Sequence, residues 1–284
     1  MESPPPPGEK RPIASVIVST YENRHGLSLV LSGLARQEAS GFELLVADDG
    51  SGPETAELAF AFARSASFPV RHLWQPDEGV RKGRILNRAI EAAAADLLIF
   101  LDGDCVPSPA FVAKHVSLAQ PRRYLSGSTV LLGAEASRAL APSDVARGAL
   151  DGLRTCRPGN RRWRRLVAAA IPGVADLFDR RLARTPVGFH GGNASLARSD
   201  AVAIGGFDER LARREDKDFG RRLRAAGIDG ISVRYRIPVW HVHHERAYLT
   251  EALREESRAL AEANAAADGT VTAHGLATPD RGLS

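Results

Sequence analysis

Residues 97–104 read LLIFLDGD, an apolar run that ends on two aspartates separated by a glycine. Such a run predicts a strand that is buried on both faces of a sheet. Asp102 and Asp104 would then stand at the carboxyl end of this strand. Ligands bind at that end of the strands in open parallel sheets, so the stretch predicts both a fold and the position of a site.

The segments before this strand alternate between strand and helix patterns. Strands and helices are predicted in turn at 13–19, 26–38, 42–47, 53–64, 70–74 and 81–95, and another helix follows Pro109. A β-α-β-α-β-α-β order is typical of an α/β fold with a mostly parallel central sheet flanked by helices on both faces.

The pattern weakens after residue 133 and returns near Phe189. The sequence then predicts helices at 199–204 and 215–226, a strand at 231–235 and an Ala/Glu-rich helix after Arg246. The last fifteen residues are predicted to be frayed. The basic stretch 154–171 is interpreted as an insertion, a mobile lid or a membrane-surface segment.

The composition is that of an ordinary globular protein, with 284 residues, 44% hydrophobic and a formal charge of +4. Its positive charge is mostly arginine, which suits phosphate-bearing ligands or anionic lipid headgroups, although a genomic bias toward Arg and Ala explains it equally well. Cys105 and Cys156 match no metal or disulfide spacing. Residues 1–12 do not resemble a signal peptide, and no apolar run approaches a membrane span. We expect a cytoplasmic protein, with peripheral contact at the inner membrane face as an open alternative.

Polar clusters follow three of the predicted strands, at 20–23 (TYEN), 48–51 (DDGS) and 102–104 (DGD). Because these strand ends share one sheet edge, the clusters predict one site. Two carboxylates flanking a glycine can hold Mg²⁺ or Mn²⁺ and leave room for diphosphate oxygens. A turn with solvated aspartates is the plainer alternative.

His241, His243 and His244 follow an apolar run near the C-terminal end. Imidazole suits Mn²⁺, so these histidines could be metal ligands. The alternative is that one of them lies in the core and the other two on the surface, without a ligand role. Glu215 and Asp216 begin a predicted helix, where acids stabilise the helix dipole but can also act as a general base. The cations of 79–84 (GVRKGR) begin another helix and could reach a diphosphate.

Seven segments, in this order, resemble glycosyltransferase family 2, the group with the GT-A fold. They are VIVSTYENR, LLVADDGS, GVRKGRILNRAI, FLDGDCVPS, GGNASLARSDAVAIGGFDERL, REDKDFGRRLRAAG and VWHVHHER, over about residues 13–246. The later segments are similar to the C-terminal part of β-1,4-galactosyltransferases and chondroitin-polymerase-like enzymes. The resemblance implies a GT-A (Rossmann-like) sheet with a C-terminal acceptor-side extension, and an inverting, metal-dependent enzyme with Mn²⁺ or Mg²⁺.

The resemblance also implies roles for individual residues. Asp104, His241 and His244 are the expected metal ligands, Asp216 the expected base and Glu215 a partner that orients the acceptor. Asp102 is expected at the ribose or near the metal, and Asp49 at the nucleobase. The expected donor-binding residues are Thr20, Tyr21, Asn23, Asp49, Arg81, Arg84, Asp102, Gly191 and Gly192.

The expected partners are a nucleotide-sugar donor, most simply a UDP-sugar, and a carbohydrate or glycoconjugate acceptor, but no nucleic acid. The family often has aromatic or Gly residues where this chain has 211–214 (LARR), which leaves the acceptor class open. The predicted divisions are a disordered lead (1–12), a nucleotide-sugar-binding half (13–133), a basic insertion or lid (134–186), an acceptor and catalytic half (187–246), and a C-terminal helix and tail (247–284). A non-catalytic sugar- or nucleotide-binding protein, or a sugar-nucleotide pyrophosphorylase, remains the alternative.

Overall fold

A computed structural model describes residues 11–151, 173–182, 186–244 and 250–276 of the protein. The strands in these ranges are β1 (Ser15–Thr20), β2 (Glu43–Asp48), β3 (Val70–Trp74), β4 (Leu97–Asp102), β5 (Cys105–Pro107), β6 (Arg123–Ser126), β7 (Ser128–Leu131), β8 (Asn193–Ala197), β9 (Asp229–Ser232) and β10 (Pro238–His241). The helices are α1 (Arg24–Leu34), α2 (Pro53–Ala63), α3 (Lys82–Ala92), α4 (Phe111–Leu118), α5 (Ala134–Ala139), α6 (Pro142–Ala146), α7 (Val174–Leu182), α8 (Arg198–Ala203), α9 (Glu215–Ala225) and α10 (Glu251–Ala266).

The central sheet has the strand order β3-β2-β1-β4-β8-β6-β9. Strands β3, β2, β1 and β4 are parallel, whereas β8 runs antiparallel to β4 and β6. The prediction of a mostly parallel α/β sheet is therefore confirmed. A smaller sheet, ordered β5-β10-β7, joins the end of β4 to the C-terminal part of the chain.

The two faces of the central sheet are buried under different helices. Val16 and Val18 of β1 lie in the cluster that contains the apolar residues of α1 and α4. Ile17 points to the opposite face, where it joins the apolar residues of α3, α8 and α9. This alternation follows from the two-residue period of a strand, and burial on both faces explains why β1 and β4 are almost uniformly apolar.

Two predictions about the C-terminal half are wrong in detail. The strand predicted at 231–235 ends at Ser232, because the Asp179 carboxylate accepts hydrogen bonds from the backbone N–H groups of Tyr235 and Arg236 and fixes a turn there. The tail is not frayed as far as Leu276, whose N–H donates to the Gly205 carbonyl at 2.8 Å and whose side chain is buried.

The predicted insertion at 134–186 contains three helices in its described residues, α5, α6 and α7. Its basic stretch, 154–171, lies outside the described residues, as does Cys156. Within the described ranges, no helix combines the length and apolarity that a membrane span requires.

Asn193 connects the two sheets. Its side-chain amide donates to the carbonyls of Ser128 and Ile237, and its Oδ1 contacts Nε2 of the fully buried His115. Asn193 itself is fully buried, so these groups have no access to water.

Replacing Asn193 with alanine should lower the free energy of unfolding by about 2–4 kcal/mol, because buried polar groups lose their partners. Urea denaturation would measure the change, with Ser199→Ala on the exposed side of α8 as the control. An unfolding free energy equal to that of the wild type would contradict the structural role of Asn193.

Candidate active site

A cavity of about 820 Å³ opens at the carboxyl ends of β1, β2 and β4. The three polar clusters that follow these strands all contribute to its wall, as the sequence predicts. The later parts of the chain add the loop before β8, the start of α9, the end of β10 and the first half of α10. The predicted site residues that line the cavity are Thr20, Tyr21, Asn23, Asp49, Asp102, Asp104, Gly191, Gly192, Glu215, Asp216, His241 and His244.

The glycine between the two aspartates is required by the adjacent strand. The Gly103 N–H donates to the Ser19 carbonyl at 2.7 Å, and a Cβ at Gly103 would lie 2.8 Å from that oxygen. The chain therefore passes tightly over the end of β1. Asp102 and Asp104 flank this passage, and both line the cavity.

Strand pairing brings the two histidines to Asp104. Strand β10 pairs with β5 in a register that places His241 opposite Cys105, and the Val242 N–H donates to the Asp104 carbonyl at 2.8 Å. Nε2 of His244 lies 2.6 Å from Oδ2 of Asp104, and Nε2 of His241 lies 3.4 Å from the same atom.

This cluster suits a divalent cation. Its three residues each offer a ligand atom, and these atoms lie within 4.8 Å of one another. One carboxylate and two imidazoles match Mn²⁺ and related ions. Cys105 is also near Asp104, but a thiol is a softer ligand than the oxygen and nitrogen donors that suit Mg²⁺ and Mn²⁺. The carboxylate–imidazole set is therefore the better ligand set.

Lys82, at the start of α3, holds two carboxylates in place. Its Nζ lies 2.7 Å from Oδ1 of Asp102 and 3.4 Å from Oε1 of Glu215. Burial alone would lower the pKa of Lys82, but the two carboxylates raise it above its ordinary value, so the side chain is an ammonium at neutral pH. Although burial works in the opposite direction, this ammonium keeps the pKa of Asp102 below its usual range.

Glu215 and Asp216 begin α9 but differ in environment. Burial raises the pKa of Glu215, and Lys82 only partly offsets this effect. Asp216 is partly exposed, and no described residue donates a hydrogen bond to its carboxylate or pairs with it within 4 Å. A Cβ at Gly191 would lie 3.5 Å from the Cβ of Asp216, which places Asp216 beside the loop before β8. Arg214 precedes the pair with a left-handed φ of 64°, a conformation that non-glycine residues rarely adopt.

The opposite end of the cavity is formed by β1 and β2. The carboxylate of Asp49 accepts hydrogen bonds from Gln75 Nε2 at 2.6 Å and from the Arg81 N–H at 2.9 Å. Burial is the main cause that raises the pKa of Asp49. Tyr21 donates to Asp77. Asn23 caps α1 by accepting from the Gly26 N–H, so its Oδ1 already has a structural partner.

Two of the predicted donor-binding cations do not face the cavity. Arg81 bonds to Glu78 and to the Pro76 carbonyl, and Arg84 is exposed on the outer side of α3. Lys82 is the cation of this segment that lines the cavity. Gly192 lies against Asp102, since a Cβ there would be 2.6 Å from Oδ2 of that residue.

Replacing Lys82 with methionine should move the acidic limb of the pH–rate profile to higher pH by about one unit or more. Glu215 is expected to orient the acceptor in its ionised form. The loss of the ammonium removes the attraction that favours this form, so the pKa of Glu215 rises and its deprotonation requires higher pH. Initial rates across pH 5–9 would measure this shift. Lys82→Arg keeps the charge and should retain the original limb, and coincident profiles for all three proteins would contradict the coupling.

Sequence analysis did not identify the cavity wall contributed by α10. Glu251, Leu253, Arg254 and Arg258 line the cavity although they lie in a helix that shows only an Ala/Glu-rich composition. His190 was also missed. No local pattern in the sequence shows which face of α10 meets the sheet edge.

The order of the central sheet shows an α/β fold, and the solved glycosyltransferase structures that align with it show that this fold is of the GT-A class. The mannosyltransferase from Pyrobaculum calidifontis in complex with GDP-Man and Mn²⁺ aligns with a TM-score of 0.62 at 19% identity, over 95% of this chain and 68% of that one. TarS 1–349 from S. aureus in complex with UDP-GlcNAc aligns with a TM-score of 0.54 at 18% identity, over 88% of this chain and 66% of that one.

Residues 15–145 match the family model described as Glycosyl transferase family 2, which confirms the resemblance drawn from the sequence. The chain is also 26% identical to the chondroitin synthase of Escherichia coli over 230 residues. That alignment covers 75% of this chain but only 32% of the relative, so the chain spans about a third of the length of that protein.

Proposed function

We propose that the chain is an inverting, metal-dependent glycosyltransferase, which moves a sugar from a nucleotide-diphosphate sugar to an acceptor hydroxyl. One observation carries the proposal: Asp104, His241 and His244 converge in the same cavity as the partly exposed Asp216. Such a transfer needs a set of ligands for a divalent cation and a carboxylate that can accept a proton. The family match and the named transferases among the similar proteins support it.

The donor would lie along the carboxyl edge of the sheet. Its nucleoside fits between Thr20, Tyr21 and Asp49, and its diphosphate fits over Asp102 and Asp104. Asp49 uses two hydrogen bonds inside the protein, and a carboxylate offers about four acceptor positions, so it can also accept from the N–H of a uracil. We therefore favour a UDP-sugar, and the neighbour that contains UDP-GlcNAc supports this choice.

Asp104, His241 and His244 would hold Mn²⁺ or Mg²⁺. A cation bound there would neutralise the charge that develops on the departing diphosphate. Lys82 pairs with Asp102 and Glu215 beside this site, and its charge favours the ionised form of both carboxylates. Gly192 leaves the space that the Asp102 carboxylate occupies.

Asp216 would act as the general base. Its carboxylate takes the proton from the acceptor hydroxyl while that oxygen forms a bond to the anomeric carbon. The bond between this carbon and the diphosphate oxygen breaks on the opposite face, and its electron pair leaves with the diphosphate. A single displacement of this kind inverts the configuration at the anomeric carbon.

A panel of UDP-, GDP- and dTDP-sugars would test the proposal without a known acceptor. Nucleotide release and thermal stabilisation would be measured with Mn²⁺, with Mg²⁺ and with a chelator. We expect one nucleotide class to stabilise the protein and to be hydrolysed slowly only when the cation is present. If no nucleotide sugar binds or reacts under any of these conditions, the proposal fails. Once an acceptor is found, NMR of the product should show an inverted anomeric configuration.

A further inference from the structure

The part of the cavity lining that comes from α10 and the start of α9 is rich in arginine. Arg213 and Arg214, directly before α9, and Arg254 and Arg258, on α10, line the same cavity as Asp104 and Asp216. We refer to these four residues as the arginine cluster. Lys217, in the first turn of α9, adds a fifth positive side chain to this wall.

Most of the cluster lacks an internal counter-charge. Among the described residues, Arg213, Arg214 and Arg258 have no carboxylate within 4 Å, and Arg254 pairs with Glu251 at 3.1 Å. Among the cavity carboxylates, Asp102 and Glu215 pair with Lys82 and Asp104 with the two histidines. Asp216 pairs with no described cation within 4 Å and is the group that we propose as the base. Like charges that share a cavity repel one another, so an anion at this wall would relieve a repulsion that the folded chain leaves in place.

The cluster is held in place by the packing of α10. Ser257 is the buried residue of this helix, and Leu253 and Leu260 lie partly buried on the same side. Nδ2 of Asn264 donates to Oδ2 of Asp208 at 2.9 Å, which fixes the later turns of the helix. Arg254 and Arg258 each follow a residue of this packed side and are four residues apart, so they lie on one face of the helix. Both line the cavity.

The position of the cluster favours the acceptor rather than the donor. We place the nucleoside at the ends of β1 and β2, and the cation at Asp104, His241 and His244, next to the end of β4. Arg213 and Arg214 instead adjoin Glu215 and Asp216, and Asp216 is the group that we place at the attacking oxygen. A ligand that reaches both Asp216 and the arginines is therefore the acceptor.

We propose that the arginine cluster is a subsite for an anionic acceptor, one whose sugar carries an oxyanion near the hydroxyl that attacks. This inference rests on the proposed function. Guanidinium groups bind carboxylate and phosphate in the same two-pronged geometry, so the oxyanion is either the carboxylate of an acidic sugar or the phosphate of a sugar phosphate.

The test uses the full chain saturated with UDP and Mn²⁺, so that the diphosphate position is already filled. Ligand-observed NMR titrations would compare D-glucuronate and D-glucose 6-phosphate with D-glucose and the methyl ester of glucuronate. We expect at least one anionic sugar to bind about tenfold more tightly than both neutral sugars. Preference for glucuronate or for glucose 6-phosphate identifies which oxyanion the subsite accepts. Equal binding of charged and neutral sugars would overturn the proposal.

The double variant Arg213→Gln/Arg258→Gln and the single variant Arg254→Gln should each weaken binding of the anionic sugar about 10- to 100-fold. Both should leave the affinity for UDP within about twofold of the wild type. Arg64→Gln, an exposed arginine at the end of α2, is the matched control and should change neither. If the variants instead lose UDP affinity, the arginines serve the donor and the acceptor assignment is wrong. If the wild type binds no nucleotide at all, the proposed function fails, and UDP titration detects that outcome separately.

Discussion

Replacing Asp104 with alanine is expected to lower metal-dependent turnover about 10³-fold, since a bound cation contributes several kcal/mol of charge stabilisation. Asp104 is the member of the cluster that both histidines contact, so its loss removes the centre of the ligand set. Nucleotide release from the preferred donor, measured against Mn²⁺ concentration, would show a lower maximum rate and a much weaker dependence on the ion.

The neighbouring histidines supply a matched pair for this experiment. His244→Ala should also impair the response to Mn²⁺, because Nε2 of His244 lies 2.6 Å from the Asp104 carboxylate. His243 is exposed and does not line the cavity, so His243→Ala should behave like the wild type. If Asp104→Ala retains the wild-type rate and the wild-type response to Mn²⁺, the cation site lies elsewhere.

Replacing Asp216 with asparagine should lower kcat about 10²- to 10⁴-fold, which is the usual contribution of a general base. The amide keeps the size of the side chain but cannot accept the proton of the acceptor hydroxyl. Because Asp216 lies at the start of α9 and not at the strand ends where we propose that the nucleoside binds, the affinity for the donor should stay within about twofold. Steady-state rates and calorimetric titration with UDP would separate the two effects.

Asp229→Asn is the control for this substitution, because Asp229, on the outer strand β9, forms an exposed ion pair with Arg123 of β6. Its rate should equal that of the wild type. A donor affinity that falls together with kcat in Asp216→Asn would assign Asp216 to donor binding. An unchanged kcat would exclude it as the base.

The first half of the fold follows from local sequence. Runs such as 97–101 are apolar throughout because both faces of the sheet are covered, and each run ends where a polar cluster reaches the cavity. The carboxyl edge, Asp104 and the acidic pair at 215–216 could therefore be located from pattern and resemblance. The predicted roles of these residues await the substitutions described above.

Other parts of the site depend on distant contacts that no local pattern encodes. The start of α3 and its packing on the sheet decide which cation of residues 81–84 faces the cavity. In the structure this cation is Lys82. Asp179 determines where β9 ends although it lies about fifty residues earlier in the chain, on α7. The arginines of α10 enter the cavity wall only because that helix docks beside α9.

The contacts of residues 271–276 have a consequence for Lys82. Thr272 and Leu276 donate backbone hydrogen bonds to Ile204 and Gly205, and the same loop continues to Phe207, whose carbonyl accepts from Asn87 on α3. Residues 271–276 thus hold the loop at 204–207 in place, and this loop contacts α3, the helix that begins with Lys82. Cleavage of the chain after α10 would remove these hydrogen bonds, so we expect C-terminal trimming to loosen the anchor of α3 although the cut lies outside the cavity.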